Sequence, residues 1–106
     1  MGMWGQVVRG KGTSNVMQFM SDGQVTVRPY NCDQPKEQPE PIEMTYTLDM
    51  AAQKLVLQND QKNEVYEVRV ILPNAMLLRR DWLGLKRQDI EYMKLPGIFP
   101  LCFSQK

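Results

Sequence analysis

Histidine is absent from this 106-residue chain. The absence removes the side chain that most often serves as a general base near neutral pH and that most often ligates a metal. No Gly-x-Ser-x-Gly motif is present, and the turn residues Thr13, Ser14 and Ser21 have no histidine base to activate a hydroxyl. We therefore expect a protein that is not an enzyme and that uses neither a cofactor nor a metal.

Long hydrophobic runs are also missing. The chain contains no stretch of 18 apolar residues, so we expect no transmembrane segment. Residues 1–5 lack the basic region followed by an apolar stretch that marks a secretory signal peptide. If the protein is exported, we expect its leader to be absent from this chain.

A strong excess of charge is missing as well. Lys and Arg total 13 and Asp and Glu total 12, which gives a net charge of +1. Nucleic-acid binding depends on accumulated positive charge, so this balance disfavours it. The basic segment 79–94 includes Trp82 and Tyr92, a mixture that also occurs in barrels that bind single strands. Acidic residues interrupt this segment, and we interpret it as a salt-bridged, solvated face.

Cysteine is scarce, and its two positions leave two interpretations open. Cys32 and Cys102 stand far apart, which fits neither a CxxC redox motif nor a zinc half-site. Either both thiols are free in a reducing compartment, or one disulfide ties the C-terminal tail to the loop after the third strand. Such a bond would stabilise the fold by about 4 kcal/mol in the chain-entropy model.

The pattern that is present is a rhythm of short apolar-polar alternations, cut by turn residues at roughly 8–12-residue intervals, which is typical of all-β sandwiches and barrels. It predicts strands at residues 3–9, 15–20, 24–30, 42–49, 54–58, 64–72, 75–80 and 87–94. About eight strands with short connections favour an up-and-down antiparallel β-barrel, because closure removes exposed strand edges. The carboxylates assigned to its outer, solvated surface are Glu43, Asp49, Glu64 and Glu67.

The whole chain, residues 1–106, is predicted to form one barrel domain. Residues 95–106 contain Pro96, Gly97 and Pro100 and are predicted to form an irregular tail that packs on the barrel. Residues 31–41 are rich in proline and charge, which predicts a long surface loop.

Several short motifs resemble the small bacterial lipocalin-like (calycin-type) β-barrel domains. They are Trp4-Gly5, with Gly2 restoring a Gly-x-Trp spacing, Met17-Gln18-Phe19 before Ser21-Asp22-Gly23, and the strands at 44–48, 55–57 and 90–92. In that family the early tryptophan plugs the closed end of the barrel. The resemblance implies the same role for Trp4, and it implies an exported protein or lipoprotein of the periplasm or cell surface. Export would favour the disulfide, although a cytoplasmic location stays open.

The function predicted from this architecture is non-enzymatic binding of a small apolar ligand inside the barrel. The candidate ligand-binding residues are the inward-facing Phe19, Val27, Tyr46, Leu57, Tyr66, Val68 and Met76. The alternative is a protein-interaction module, such as an inhibitor or an immunity-type protein, that recognises a partner through loops 31–41 and 79–87. A cavity would favour the first function, and a solid interior would favour the second.

Overall fold

The structure, a computed structural model, describes the backbone of residues 2–82 and 86–103 and the side chains of these residues except 81–88. These described residues form strands and turns, without a helix. The strands are β1 Gly2–Arg9, β2 Thr13–Phe19, β3 Gln24–Asn31, β4 Ile42–Asp49, β5 Lys54–Gln58, β6 Asn63–Ile71, β7 Ala75–Trp82, β8 Lys86–Lys94 and β9 Leu101–Phe103. The sequence placed the first eight of these within about two residues, because each has a clear alternation bounded by turn residues.

Strands β1 to β8 close into a single barrel. Each pairs antiparallel with the next, and β1 pairs antiparallel with both β2 and β8. Trp4, for example, stands opposite Met17 on β2 and opposite Lys94 on β8. The predicted all-β, up-and-down antiparallel barrel of eight strands is confirmed, with β9 as an additional strand.

The hairpin between β2 and β3 shows why the short connections form where they do. Gly23 has a φ of +85°, a left-handed conformation that glycine adopts without steric cost. The Asp22 carboxylate accepts a hydrogen bond from the Gln24 amide at 3.2 Å, which holds the turn. The Asp-Gly pair therefore fixes the register of the strands that follow it.

The barrel interior is a packed apolar core. Alternation along each strand directs one set of side chains inward, and the most deeply buried are Met17, Leu55, Leu57, Met76, Leu78 and Tyr92. The rings of Phe19 and Tyr46 meet edge to face with centroids 4.8 Å apart. Burial of each large aliphatic side chain contributes about 1.5–3 kcal/mol, so this core is the main source of stability.

The tail is held on the outer wall of the barrel. Leu95 packs with Val16 and Tyr30, which point away from the interior, and this second cluster is separate from the barrel core. The sequence predicted an irregular tail, but residues 101–103 form β9, which pairs in parallel with residues 7–9 of β1. Strand β9 can pair there because the pairing of β1 with β2 ends at Gly5 and Val16. The last residues of β1 therefore form an edge that β2 does not cover.

A disulfide and one hydroxyl attach the tail to its neighbours. Cys32, just after β3, is bonded to Cys102 in β9, with their Cα atoms 5.5 Å apart. The Ser14 hydroxyl donates to the Gln6 carbonyl at 2.7 Å and accepts from the Leu101 amide at 3.2 Å. Of the two interpretations of the cysteines, the structure shows the disulfide.

The up-and-down order of the strands places alternate connections at opposite ends. Residues 20–23, 50–53 and 72–74 connect strands at one end, which we call the Trp4 end. Residues 10–12, 32–41 and 59–62 connect strands at the other end, which we call the loop end. Trp4 is 4 % exposed and belongs to the interior core. The connection from β7 to β8 also belongs to the loop end, but residues 83–85 lie outside the described part of the chain.

Candidate functional site

The seven sequence-predicted ligand residues all belong to the interior of the barrel. Phe19, Val27, Leu57, Tyr66, Val68 and Met76 are buried core residues, and Tyr46 packs against them. Only Val27, Leu57 and Tyr66 line a cavity within the interior. The other four fill the core with each other and with neighbouring side chains.

The interior cavity has a volume of about 190 Å³ and lies toward the loop end. Its apolar floor and wall are formed by Met17, Val27, Pro29, Ile42, Met44 and Leu57. Wider depressions of about 410 and 350 Å³ occur on the outer surface, where mainly exposed side chains line them. The interior cavity is the better candidate site, because it combines an apolar floor with converging polar groups.

One side of this cavity carries a carboxylate, a guanidinium and a phenol that contact one another. The Tyr66 hydroxyl donates to Glu64 Oε2 at 2.8 Å, and Arg80 Nη2 lies 4.0 Å from Glu64 Oε1. The Arg80 guanidinium also lies over the Tyr66 ring, 5.9 Å from its centroid. Burial, together with the hydrogen bond to Glu64, raises the pKa of Tyr66 above its ordinary range, so this hydroxyl stays protonated.

Tyr92 is the deepest polar group of the cavity. The residue is 1 % exposed, lines the cavity and belongs to the barrel core. Burial, and then the neighbouring Tyr66 and Glu64, raise the pKa of Tyr92 far above its ordinary range. Its hydroxyl therefore stays protonated at neutral pH.

Asn15 and Lys62 complete the polar rim. Asn15 lines the cavity, and its Nδ2 donates to Gln6 Oε1 at 2.9 Å, which orients the amide. Lys62 belongs to the connection between β5 and β6, and its residue is exposed. The rim therefore presents an exposed cation from a connecting segment beside groups that lie on strands.

The sequence assignment of Glu64 to the outer surface is wrong. Glu64 precedes Tyr66 by two residues on β6, so both side chains point to the interior, and Arg80 stands in the same relation to Leu78 on β7. The alternation of side-chain direction along each strand would have predicted that Glu64 and Arg80 point inward. Glu64 was assigned to the surface because a charged residue near a strand end is more often solvated.

The other carboxylates assigned to the surface do lie outside the barrel: Glu43 and Asp49 are exposed, and Glu67 pairs with Arg69 at 2.8 Å. Within the basic segment, Asp89 pairs with Arg79 at 2.8 Å. The hydrogen bond from Arg79 lowers the pKa of the Asp89 carboxyl. The Arg79–Asp89 pair, together with Arg9–Glu91 at 3.7 Å, agrees with a salt-bridged face over the described side chains of 79–94. The side chains of 81–88 lie outside the described part of the chain.

The side chains of residues 2–80 and 89–103 include no group of three or more Cys, Asp and Glu that is close enough to hold a metal ion. The backbone of residues 2–82 and 86–103 forms no helix with the length and apolar character needed to cross a bilayer.

Comparison with models of protein families, with curated proteins and with solved structures gives no match to this chain. The site is therefore assessed on its geometry alone. That geometry is a cavity toward the loop end, lined by apolar side chains, two protonated phenols, one carboxylate and two cationic side chains. Such a set can bind and orient a small molecule, and it has neither a nucleophile with an adjacent base nor a carboxylate pair for acid-base chemistry.

Proposed function

We propose that this protein is a non-enzymatic barrel that binds a small molecule in the cavity at its loop end. The observation that carries the proposal is a cavity of about 190 Å³ inside a barrel whose remaining interior is packed. An apolar body would rest on Met17, Val27 and Leu57, and a polar group would face the rim. The sequence predicted a small apolar ligand, and the polar rim favours one that also carries a polar group at one end.

The size of the cavity limits the ligand. A volume of about 190 Å³ equals the space of roughly six liquid water molecules at about 30 Å³ each. Most drug-sized ligands occupy pockets of about 300–1,000 Å³, so a compact molecule with one ring or a short chain fits best.

The test is a titration of the protein with single-ring compounds, namely toluene, benzamide, benzoate and benzylamine, followed by two-dimensional amide NMR. We expect at least one of them to shift the resonances of Val27 and Leu57. The Val27→Phe variant fills the floor of the cavity and should weaken binding at least tenfold. A matched Val65→Phe variant, at a residue that is 48 % exposed, should bind like the parent. Millimolar concentrations of all four compounds without any shift at the cavity residues would contradict the proposal.

The alternative proposal is a protein-interaction module. It is supported by topology, because residues 32–41 connect strands at the loop end, where β7 ends and β8 begins, and the Cys32–Cys102 disulfide tethers that connection. Residues 83–85 lie outside the described part of the chain. A stoichiometric partner recovered from native cells, retained by Val27→Phe and lost on Lys36→Glu, would favour this function over ligand binding.

We also propose that the protein works in an oxidising compartment, such as the periplasm or surface of a bacterium. The Cys32–Cys102 disulfide supports this location, because disulfides are rare in cytosolic proteins. The barrel shape is consistent with the lipocalin-like resemblance, which stays a prediction. Thiol titration of denatured protein from native cells tests the location, since two free thiols per chain would contradict it.

A further inference from the structure

The loop-end half of the β2–β3 hairpin is a part of the barrel wall that the neighbouring strands do not hold. Residues 13–15 of β2 and 28–31 of β3 pair with each other. Strand β1 pairs with β2 only as far as Val16, and β4 pairs with β3 only as far as Val27. Among the residues that the structure describes, no third strand therefore pairs with this two-stranded segment, which we call the flap.

The flap forms part of the wall of the interior cavity. Asn15 and Pro29 stand opposite each other in the flap, and both line the cavity. Met17 and Val27 continue the same wall, but they belong to the part of the hairpin that β1 and β4 flank. Movement of the flap away from the barrel would therefore open the cavity sideways and leave its apolar floor in place.

The C-terminal tail holds the flap from outside through noncovalent contacts. Leu95 packs with Tyr30, which belongs to the flap. The Ser14 hydroxyl of the flap accepts from the Leu101 amide at 3.2 Å and donates to the Gln6 carbonyl at 2.7 Å. Contacts of this kind are individually weak, so they permit brief local opening of a segment without unfolding of the barrel.

The disulfide adds a covalent attachment at the same place. Cys32 directly follows the flap, and Cys102 belongs to β9, which pairs with β1. We propose that the Cys32–Cys102 disulfide is a latch that keeps the flap closed over the cavity and thereby controls how fast the ligand enters and leaves. The proposal rests on the ligand-binding function proposed above.

Reduction of the disulfide opens the latch. A dithiol supplies two electrons and two protons: the S–S bond breaks, Cys32 and Cys102 become thiols, and the dithiol becomes a disulfide. The remaining contacts of the tail keep the flap closed in most molecules, but the flap opens more often. Entry and release use the same opening, so both rates rise together and the affinity changes little.

The first test compares ligand exchange in the oxidised protein and in the protein reduced with dithiothreitol. The probe is whichever of toluene, benzamide, benzoate and benzylamine binds most tightly, and NMR line shapes give its association and dissociation rates. We expect reduction to raise both rates about tenfold or more and to change Kd less than about threefold. Reoxidation should restore the slow exchange, and the double variant Cys32→Ser with Cys102→Ser should behave like the reduced protein.

Equal exchange rates in the two redox states would overturn the latch while the binding function stands. A change in Kd with an unchanged association rate would also overturn it, because an altered cavity rather than an opened flap would then explain the result. If reduction unfolds the barrel, both states are compared in about 1 M trimethylamine N-oxide, which stabilises folded proteins.

The second test needs no ligand. NMR relaxation dispersion should show microsecond-to-millisecond exchange at the amides of residues 13–15 and 30–32 in the reduced protein and not in the oxidised one. Residues 16–18 and 25–27 of the same hairpin are the internal control and should show none in either state. Exchange spread over both sets, or absent from the flap after reduction, would overturn the latch. If no probe binds, the binding function fails, and this measurement alone decides whether the disulfide holds the flap.

Discussion

Removing the disulfide offers the sharpest measurement of what holds this barrel together. The double variant Cys32→Ser with Cys102→Ser opens a covalent loop with a sequence separation of 70 residues. In the chain-entropy model, a cross-link closing a loop of that length stabilises the folded state by about 4 kcal/mol. Natural domains have a total stability of about 5–15 kcal/mol, so the expected loss is a large part of it.

The contacts of the tail in the folded protein explain why we expect loss of the disulfide to act mainly on the unfolded state. The Gly10 amide donates to the Phe103 carbonyl at 2.8 Å, and the Leu101 amide donates to Ser14 at 3.2 Å. Leu95 packs in the outer cluster, and none of these contacts requires the sulfur atoms. The tail should therefore stay docked in the double variant, and the main change is a larger ensemble of unfolded conformations.

The measurement is urea unfolding followed by tryptophan fluorescence, for the parent, the reduced parent and the double variant. We expect a loss of about 4 kcal/mol, a fall in melting temperature of about 15–20 °C, and a larger m value because the unfolded chain expands. The reduced parent should behave like the double variant. A loss below about 1 kcal/mol with an unchanged m value would refute the assignment to unfolded-state entropy.

Three further measurements test other parts of the structure. The free energy of unfolding should be constant up to about pH 9 and should fall above about pH 10, by about 1.4 kcal/mol per pH unit for each phenol. The reason is that folding raises the pKa values of Tyr66 and Tyr92, so these phenols lose their protons first in the unfolded chain. Urea unfolding between pH 8 and 11 checks this, and Tyr92→Phe should reduce the slope. Gly5→Ala should destabilise the folded protein by about 1–2 kcal/mol, because an added Cβ would lie 2.8 Å from Leu95 Cδ1. A stabilised variant would instead show that Leu95 and the tail move aside without cost. Asp89→Asn should lower stability slightly at neutral pH, where the depressed pKa of that carboxyl favours folding. The difference should shrink as the pH falls through that lowered pKa, and thermal melts of both proteins over an acid pH series would reveal this.

The strands were largely predictable because their signals are local. Residues 42–49 and 54–58 were predicted with the bounds that the structure shows, since each is a clean alternation between turn residues. Strand β7 runs two residues beyond its predicted end at residue 80, to Trp82, which stands opposite Lys86 of β8. There the cross-strand pairing extends the strands beyond the clear alternation of the sequence.

The candidate site was only partly predictable. The sequence selected Val27, Leu57 and Tyr66, which line the cavity, because apolar residues at a period of two indicate an inward face. It assigned Glu64 to the surface and gave Tyr92 no role beyond a basic segment. Both errors came from judging a residue by its own polarity, whereas its environment is set by side chains from strands far away in the chain.

The alternation of apolar and polar residues, with Asp22-Gly23 and similar turns, determined by itself that this chain forms antiparallel strands that close into a barrel. Local patterning is enough for this, because side-chain direction along a strand follows from the backbone. Only the tertiary structure decided that the cysteines are joined, that the tail lies on the outer wall, and that Glu64, Arg80 and Tyr92 meet in one cavity. These contacts depend on the register in which the strands pair to close the barrel. No single stretch of sequence determines that register.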